Sequence, residues 1–399
     1  MSGRHFLQIP GPTNVPERIL RALDRPVPDH RGPELPALVG EIQSGLRQIF
    51  QTTRGEILLY PGSGTGAWEA SLVNTVSPGD HVLAFHTGYF SHLYAECARR
   101  LGAAIDEVEL PWDGGVPPAV VHDRLAADRG RTYKAVLLVH NETSTGVASN
   151  VRAIRDAMRA ANHPALLLVD VVSALGSIDF RFDEWEVDVA LTGSQKGLML
   201  PPGMAILCAG PRALEASARV TTPRYYYDWA PVREEMRRGY FPYTPATLML
   251  YGLREAARML LEEGLPAVFE RHRRLAEGVR QAVAATGLSM LCRDPALRSN
   301  SLTAVVVPEG SDSGGVLRAA ERLHLSLGTG LGRLRGKVFR VGHLGAFNEL
   351  EAVATVAGME MACQMAGIPV QLGAGPAACQ RYFMEQHVAA ASASRPAAR

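Results

Sequence analysis

Lysine is scarce in this chain. Of 41 lysines and arginines among 399 residues, only Lys134, Lys196 and Lys337 are lysine. Chemistry that needs an amine side chain therefore has three candidates. A net charge is almost absent as well. The formal value is +1, which leaves no electrostatic footprint for nucleic acid or an anionic membrane. Cysteine is sparse and scattered: Cys97, Cys208, Cys292, Cys363 and Cys379 are odd in number and form no CxxC pair. That argues against a disulfide framework or a zinc site and for free thiols in a reducing compartment. No apolar run approaches the roughly 20 residues that span a bilayer, and the N-terminus has no basic-then-apolar signal pattern. A cytoplasmic protein without a bound metal is expected.

What is present is a large apolar fraction. The hydrophobic content of 47% excludes a disordered chain, and the length suits two domains or one large one with an appendage. Residues 1–36 are rich in proline, so residues 1–20 read as an extended arm. Short apolar runs then alternate with helical stretches. Strands are expected at Glu56–Tyr60, His81–Phe85, Ala135–His140, Ala165–Asp170, Val187–Leu191 and Met204–Cys208. This alternation predicts an α/β domain with a mainly parallel sheet over 21–255. Long arginine-bearing helices follow, with strand-like runs at Leu302–Val307 and Lys337–Val341, and predict a smaller α+β C-terminal domain over 256–386. Residues 387–399, rich in alanine, serine, proline and arginine, read as a disordered tail.

Several strand ends carry polar groups. Tyr60-Pro-Gly-Ser63-Gly64-Thr65-Gly66 is a glycine-rich turn between a strand and a helix. Backbone N–H groups at such a helix start favour an anion. The turn alone fits a dinucleotide pyrophosphate, a cofactor monophosphate or no ligand at all. Asp170 ends an apolar strand, where open α/β sheets place ligands. It lies over 100 residues past the glycine turn, whereas a dinucleotide fold has its acidic residue about 20 residues on. That spacing argues against a nicotinamide-dependent dehydrogenase. Lys196 lies in Leu191-Thr-Gly-Ser-Gln-Lys-Gly, between small polar residues and an apolar run, a setting in which a lysine can form a Schiff base. Thr143 ends one further strand, Tyr89 and Phe90 end another with either ring able to stack on a ligand, and Arg340 sits among apolar residues where it either reaches a cleft or is paired.

Together these segments resemble the class V, fold type I aminotransferases, in particular the serine–glyoxylate and alanine–glyoxylate group. The resemblance runs from Pro10-Gly-Pro-Thr-Asn-Val-Pro16 to Gly336-Lys-Val-Phe-Arg340-Val-Gly-His-Leu-Gly345. It is closest to the bacterial serine–glyoxylate branch in Asp29-His30-Arg31, His140-Asn-Glu-Thr-Ser-Thr-Gly146 and Gly193-Ser-Gln-Lys-Gly. The resemblance implies pyridoxal 5′-phosphate as cofactor. Lys196 would form the Schiff base and act as general base. Asp170 would pair with the pyridine nitrogen. Val172 and Phe90 would cover the two ring faces, and Thr143 would bond the phenolic oxygen. Ser63, Gly64, Thr65 and Gln195 would hold the phosphate, with Thr244 of a partner subunit. Arg340 would bind the substrate α-carboxylate, and His30 and Arg31 are further substrate-side candidates. The pattern departs at Phe241, where some relatives have tyrosine; Tyr240 and Tyr243 are the candidates for that hydroxyl. The implied reaction transfers an amino group to glyoxylate by ping-pong kinetics, with serine as first-choice donor and alanine or aspartate as alternatives. The implied assembly is a homodimer with sites at the interface.

Overall fold

The computed structural model describes residues 3–393. Its larger sheet has seven strands in the order Glu56–Gly62, Gly203–Ala209, Val189–Gly193, Leu166–Asp170, Tyr133–Val139, His81–His86 and Ala104–Glu109. Gly203–Ala209 runs antiparallel to both neighbours. The other pairings in this sheet are parallel. The central strands have no polar side, because strands covered on both faces need continuous apolar runs. Leu166–Asp170 and Val189–Gly193 are buried throughout. Each fully buried Leu or Val, such as Leu167, Leu168 and Val169, contributes about 1.5–3 kcal/mol relative to an exposed one. Helices Gly64–Leu72, Tyr89–Arg100 and Val151–Ala160 follow three of the strand ends. The mainly parallel α/β architecture expected from the alternation is the one observed.

A second sheet has the order Phe6–Gln8, Leu325–Thr329, Val338–Gly342, Leu302–Val306 and Ser289–Met290. Helices Leu265–Ala285, Ser313–Arg322 and Glu349–Met365 accompany it. It encloses a separate apolar core that includes Val279, Val305, Phe339, Val341, Val356 and Met359.

Three expectations change. The stretch 1–20 is not an arm throughout: Phe6–Gln8 pairs in parallel with Leu325–Leu327, and Glu17–Leu23 is a helix. Proline at 10 and 12 stops this strand rather than preventing it. A boundary at 255/256 falls inside helix Thr247–Glu263. Leu250, Leu253, Ala257 and Leu260 of that helix pack into the large core, and Val268 still belongs there. Amphipathic helices look alike in sequence whichever core they face. Finally, the tail expected from 387 is helical to 393, as part of Ala374–Ala393. Its alanine content favours helix, and His387 Nε2 lies 2.8 Å from Glu349 Oε2. The remainder of that tail lies outside the described residues. Among the described residues no helix is long and apolar enough to cross a membrane.

Candidate active site

Nine of the residues singled out in the sequence line one cavity of about 250 Å³: Ser63, Gly64, Thr65, Phe90, Thr143, Asp170, Val172, Gln195 and Lys196. It opens at the carboxyl ends of the strands of the large sheet. Register explains the convergence. Asp170 pairs with Leu191, so the end of its strand lies beside the loop that carries Gln195 and Lys196. Ser63 caps helix Gly64–Leu72 by accepting from Gly66 N–H. The first-turn N–H groups beyond it have no intrahelical acceptor, a setting that favours an anion. A Cβ on Gly64 would come within 2.9 Å of Val172 Cγ2, so this helix start approaches the Asp170 loop as closely as only glycine allows.

Burial sets the electrostatics. Asp170 Oδ1 accepts from Val172 N–H at 2.7 Å and Oδ2 from Trp68 Nε1 at 2.6 Å. Loss of water pushes its carboxyl up to about 7, the two donors oppose that, Glu142 adds to it and Lys196 counters it. The same desolvation brings Lys196 down to about 7, helped by the nearby Arg340 cation and opposed by Asp170. The Lys196 amine donates to the Pro10 carbonyl at 2.6 Å. Thr143 Oγ1 donates to Ser173 Oγ at 2.7 Å. The Gln195 side chain is half-buried, and its Oε1 is shut off from solvent without a hydrogen-bond partner among the described residues. Turning that amide would present N–H donors instead.

Arg340 is buried and does not line the cavity wall, but its Nη1 donates to the Thr143 carbonyl at 2.7 Å and its Nε to the Thr329 carbonyl at 2.9 Å. No carboxylate pairs with it among the described residues. Its charge is met by carbonyl dipoles and, at longer range, by the Glu142 carboxylate, and desolvation outweighs these and brings it down to about 10. A buried guanidinium in that condition has unused affinity for a carboxylate.

Besides Arg340, the singled-out residues Tyr243, Thr244, His30 and Arg31 stay outside this chain's cavity. The Tyr243 hydroxyl donates to the Leu59 carbonyl at 2.6 Å, and Thr244 is exposed and lines no part of the cavity. His30 is half-buried with Nε2 unpartnered among the described residues, and Arg31 is exposed. The structure also adds residues that the motifs did not single out. Trp68 and Asn141 line the cavity, as does Gly11. Glu142, buried beside them, accepts from Ser91 N–H at 2.9 Å and from Ser144 N–H at 2.9 Å. Its contacts tie the Thr143 loop to the start of the helix carrying Phe90. An indole donor two residues past the glycine turn is the available sign of Trp68; its partner lies 102 residues away.

A buried amine and a buried carboxylate lining one cavity, a helix start at its edge and a buried arginine without a carboxylate partner match a known group of enzymes. The chain is 45% identical over 395 residues to serine–glyoxylate aminotransferase of Methylorubrum extorquens, covering 98% of each chain. It is 44% identical to L-aspartate–glyoxylate aminotransferase of Paracoccus denitrificans, covering 98% of this chain and 99% of that one. Among solved structures it resembles ureidoglycine–glyoxylate aminotransferase of Bacillus subtilis, with a TM-score of 0.89 at 29% identity, over 96% of this chain and 99% of that one. The model of the class-V aminotransferase family matches residues 6–330. With that match reaching from the first strand of the small sheet through the whole cavity, the chain belongs to the class-V aminotransferases and has their fold type I architecture.

Proposed function

We propose that this aminotransferase uses pyridoxal 5′-phosphate to move the amino group of L-serine to glyoxylate. The observation that carries the reading is the buried Arg340 without a carboxylate partner, beside the cavity shared by Lys196 and Asp170. The cavity suits the cofactor. Its helix start and the reorientable Gln195 amide offer donors for a phosphate, and Asp170 offers a fixed acceptor for a ring N–H. When bound, the cofactor supplies an electron sink for the negative charge at the substrate Cα.

The chain's own residues would do the rest. Asp170, oriented by Val172 and Trp68, would hold a proton at the ring nitrogen. Val172 and Phe90 would confine the ring from opposite faces. Ser63, Thr65 and the Gly64 N–H would hold the phosphate, and Thr143 would orient the phenolic oxygen. Arg340 would bind the α-carboxylate and so fix which face of Cα meets Lys196. The Lys196 amine, titrating near neutrality, would take the Cα proton and return it elsewhere on the same face.

Glyoxylate as acceptor is supported by three relatives whose names share it while their donors differ. Serine is the donor in the first of these and aspartate in the second. Thr244 lies off its own cavity, which supports a homodimer in which it reaches the partner's phosphate. Five free thiols support a cytoplasmic setting. The test is a panel of serine, alanine and aspartate against glyoxylate, read as glycine formed. Serine should give the highest kcat/KM, and Lys196→Ala should abolish turnover. A higher value for aspartate would overturn serine as donor, and turnover at the parent rate by Lys196→Ala would overturn the mechanism.

A further inference from the structure

Away from the cavity, four ionisable side chains converge at the edge of the large sheet. His86 ends strand His81–His86, and its register partner on the edge strand is Glu109. Glu107, two residues earlier, shares that face of the sheet. His92 comes from the first turn of helix Tyr89–Arg100. His92 Nδ1 lies 2.8 Å from Glu107 Oε1. His86 Nδ1 lies 3.9 Å from the same oxygen and 2.6 Å from Glu109 Oε2. The two imidazoles stack with centroids 4.7 Å apart.

The carboxylates divide their oxygens. Glu107 Oε2 accepts from Arg99 at 2.8 Å, and Glu109 Oε1 accepts from Arg333. The remaining oxygens face the two Nδ1 atoms. Opposed lone pairs repel, so each such contact needs a proton or a metal cation between the atoms. Guanidinium groups on the far oxygens are the outer support that orients carboxylate ligands. The coordinating atoms of His86, His92 and Glu107 already lie within 4.8 Å of one another. Around tetrahedral zinc, with bonds of about 2.0–2.2 Å, donor atoms are roughly 3.3–3.5 Å apart. Closing the difference takes about an ångström of movement by partly exposed side chains.

We propose that His86, His92 and Glu107 form a site for one divalent transition-metal ion of the zinc class, with Glu109 as fourth ligand. Two imidazoles and carboxylates select Zn²⁺ or Co²⁺ over Mg²⁺. Cysteine spacing carries no trace of the site because no cysteine takes part. Through Arg333, which also lies 4.1 Å from the Trp112 ring centroid, the site adjoins the seam between the two sheets.

The test uses the whole purified protein, cleared of metal by a chelator and titrated with Zn²⁺ by calorimetry, with the bound ion counted by elemental analysis. One Zn²⁺ per chain is expected, undisturbed by excess Mg²⁺. His92→Asn should weaken binding at least about tenfold, and His86→Asn with His92→Asn should abolish it. His92 is 41% exposed at its side chain, so the single variant should fold as the parent does. The melting temperature should rise with Zn²⁺ in the parent, less in His92→Asn and not at all in the double variant. No zinc bound by the parent, or equal affinity in His92→Asn and the parent, would overturn the site.

Discussion

At the scale of single residues, Lys196 shows how burial weakens an amine's hold on its proton. Its ammonium form has lost its water and faces the Arg340 cation, so its proton leaves near pH 7. In protein stripped of cofactor, reductive methylation of Lys196 should rise about tenfold per pH unit, level off near pH 7 and stay flat above, with the exposed Lys134 and Lys337 as references. Peptide mapping gives the rate at each lysine. A Lys196 rate that keeps climbing toward the ordinary lysine value of about 10.4 would refute the desolvated environment. Lys196 and Asp170 are legible in sequence because each ends an apolar strand in a loop of small residues, and a rare residue type narrows the choice. Trp68 is less legible. Its bond to Asp170 depends on the helix after the glycine turn lying against a strand that comes much later, and no local pattern reports that.

At the scale of elements, the strands that can be read are those buried on both faces, where apolar runs are unbroken. Edge strand Ala104–Glu109 escapes notice because it is half-exposed and carries three acids. Leu325–Thr329 escapes because its short run contains Ser326 and Gly328. Glu142 links two elements, and its motif hides it behind Thr143. Its Oε2 accepts from Ser91 N–H, in the first turn of helix Tyr89–Arg100, while Oε1 accepts from Ser144 N–H and from Ser144 Oγ at 2.7 Å. Ser144 Oγ in turn accepts from Tyr89 N–H at 2.9 Å. A buried anion here satisfies orphan helix donors and faces the positive end of the dipole. Glu142→Gln keeps the shape but turns an amide donor toward N–H donors. It should cost roughly 2–3 kcal/mol, seen as a lower denaturation midpoint at unchanged slope. A loss under about 0.5 kcal/mol would mean that Glu142 does not hold the helix start.

At the scale of the whole molecule, the chain's first residues join the two sheets to the Lys196 amine, the proposed reacting group. Phe6–Gln8 completes the small sheet beside Leu325–Thr329. Five residues on, Thr13 N–H donates to the Gln195 carbonyl at 3.1 Å and Thr13 Oγ1 to the Lys196 carbonyl at 3.2 Å. Between them lie the Pro10 carbonyl that accepts from the Lys196 amine and Gly11, which lines the cavity. A proline-rich start reads as an extended segment in sequence, and nothing local says that it crosses from one sheet to Lys196 beside the other. Gly11 makes the crossing testable. Its φ is +130°, and a Cβ there would lie 2.4 Å from Lys196 Nζ. Gly11→Ala therefore adds backbone strain and displaces the amine, while the core contacts of both sheets are untouched. Misplacing a reacting group by about an ångström costs on the order of 100-fold in rate. Gly11→Ala should thus lower kcat by about that factor, with the secondary-structure spectrum of the parent. The loss should appear in kcat more than in KM, because the three atoms nearest a Cβ on Gly11 all belong to Lys196 and none to Arg340, the proposed carboxylate site. A variant with the parent kcat would show that the N-terminal crossing only braces the sheets and leaves the Lys196 amine free to find its own position.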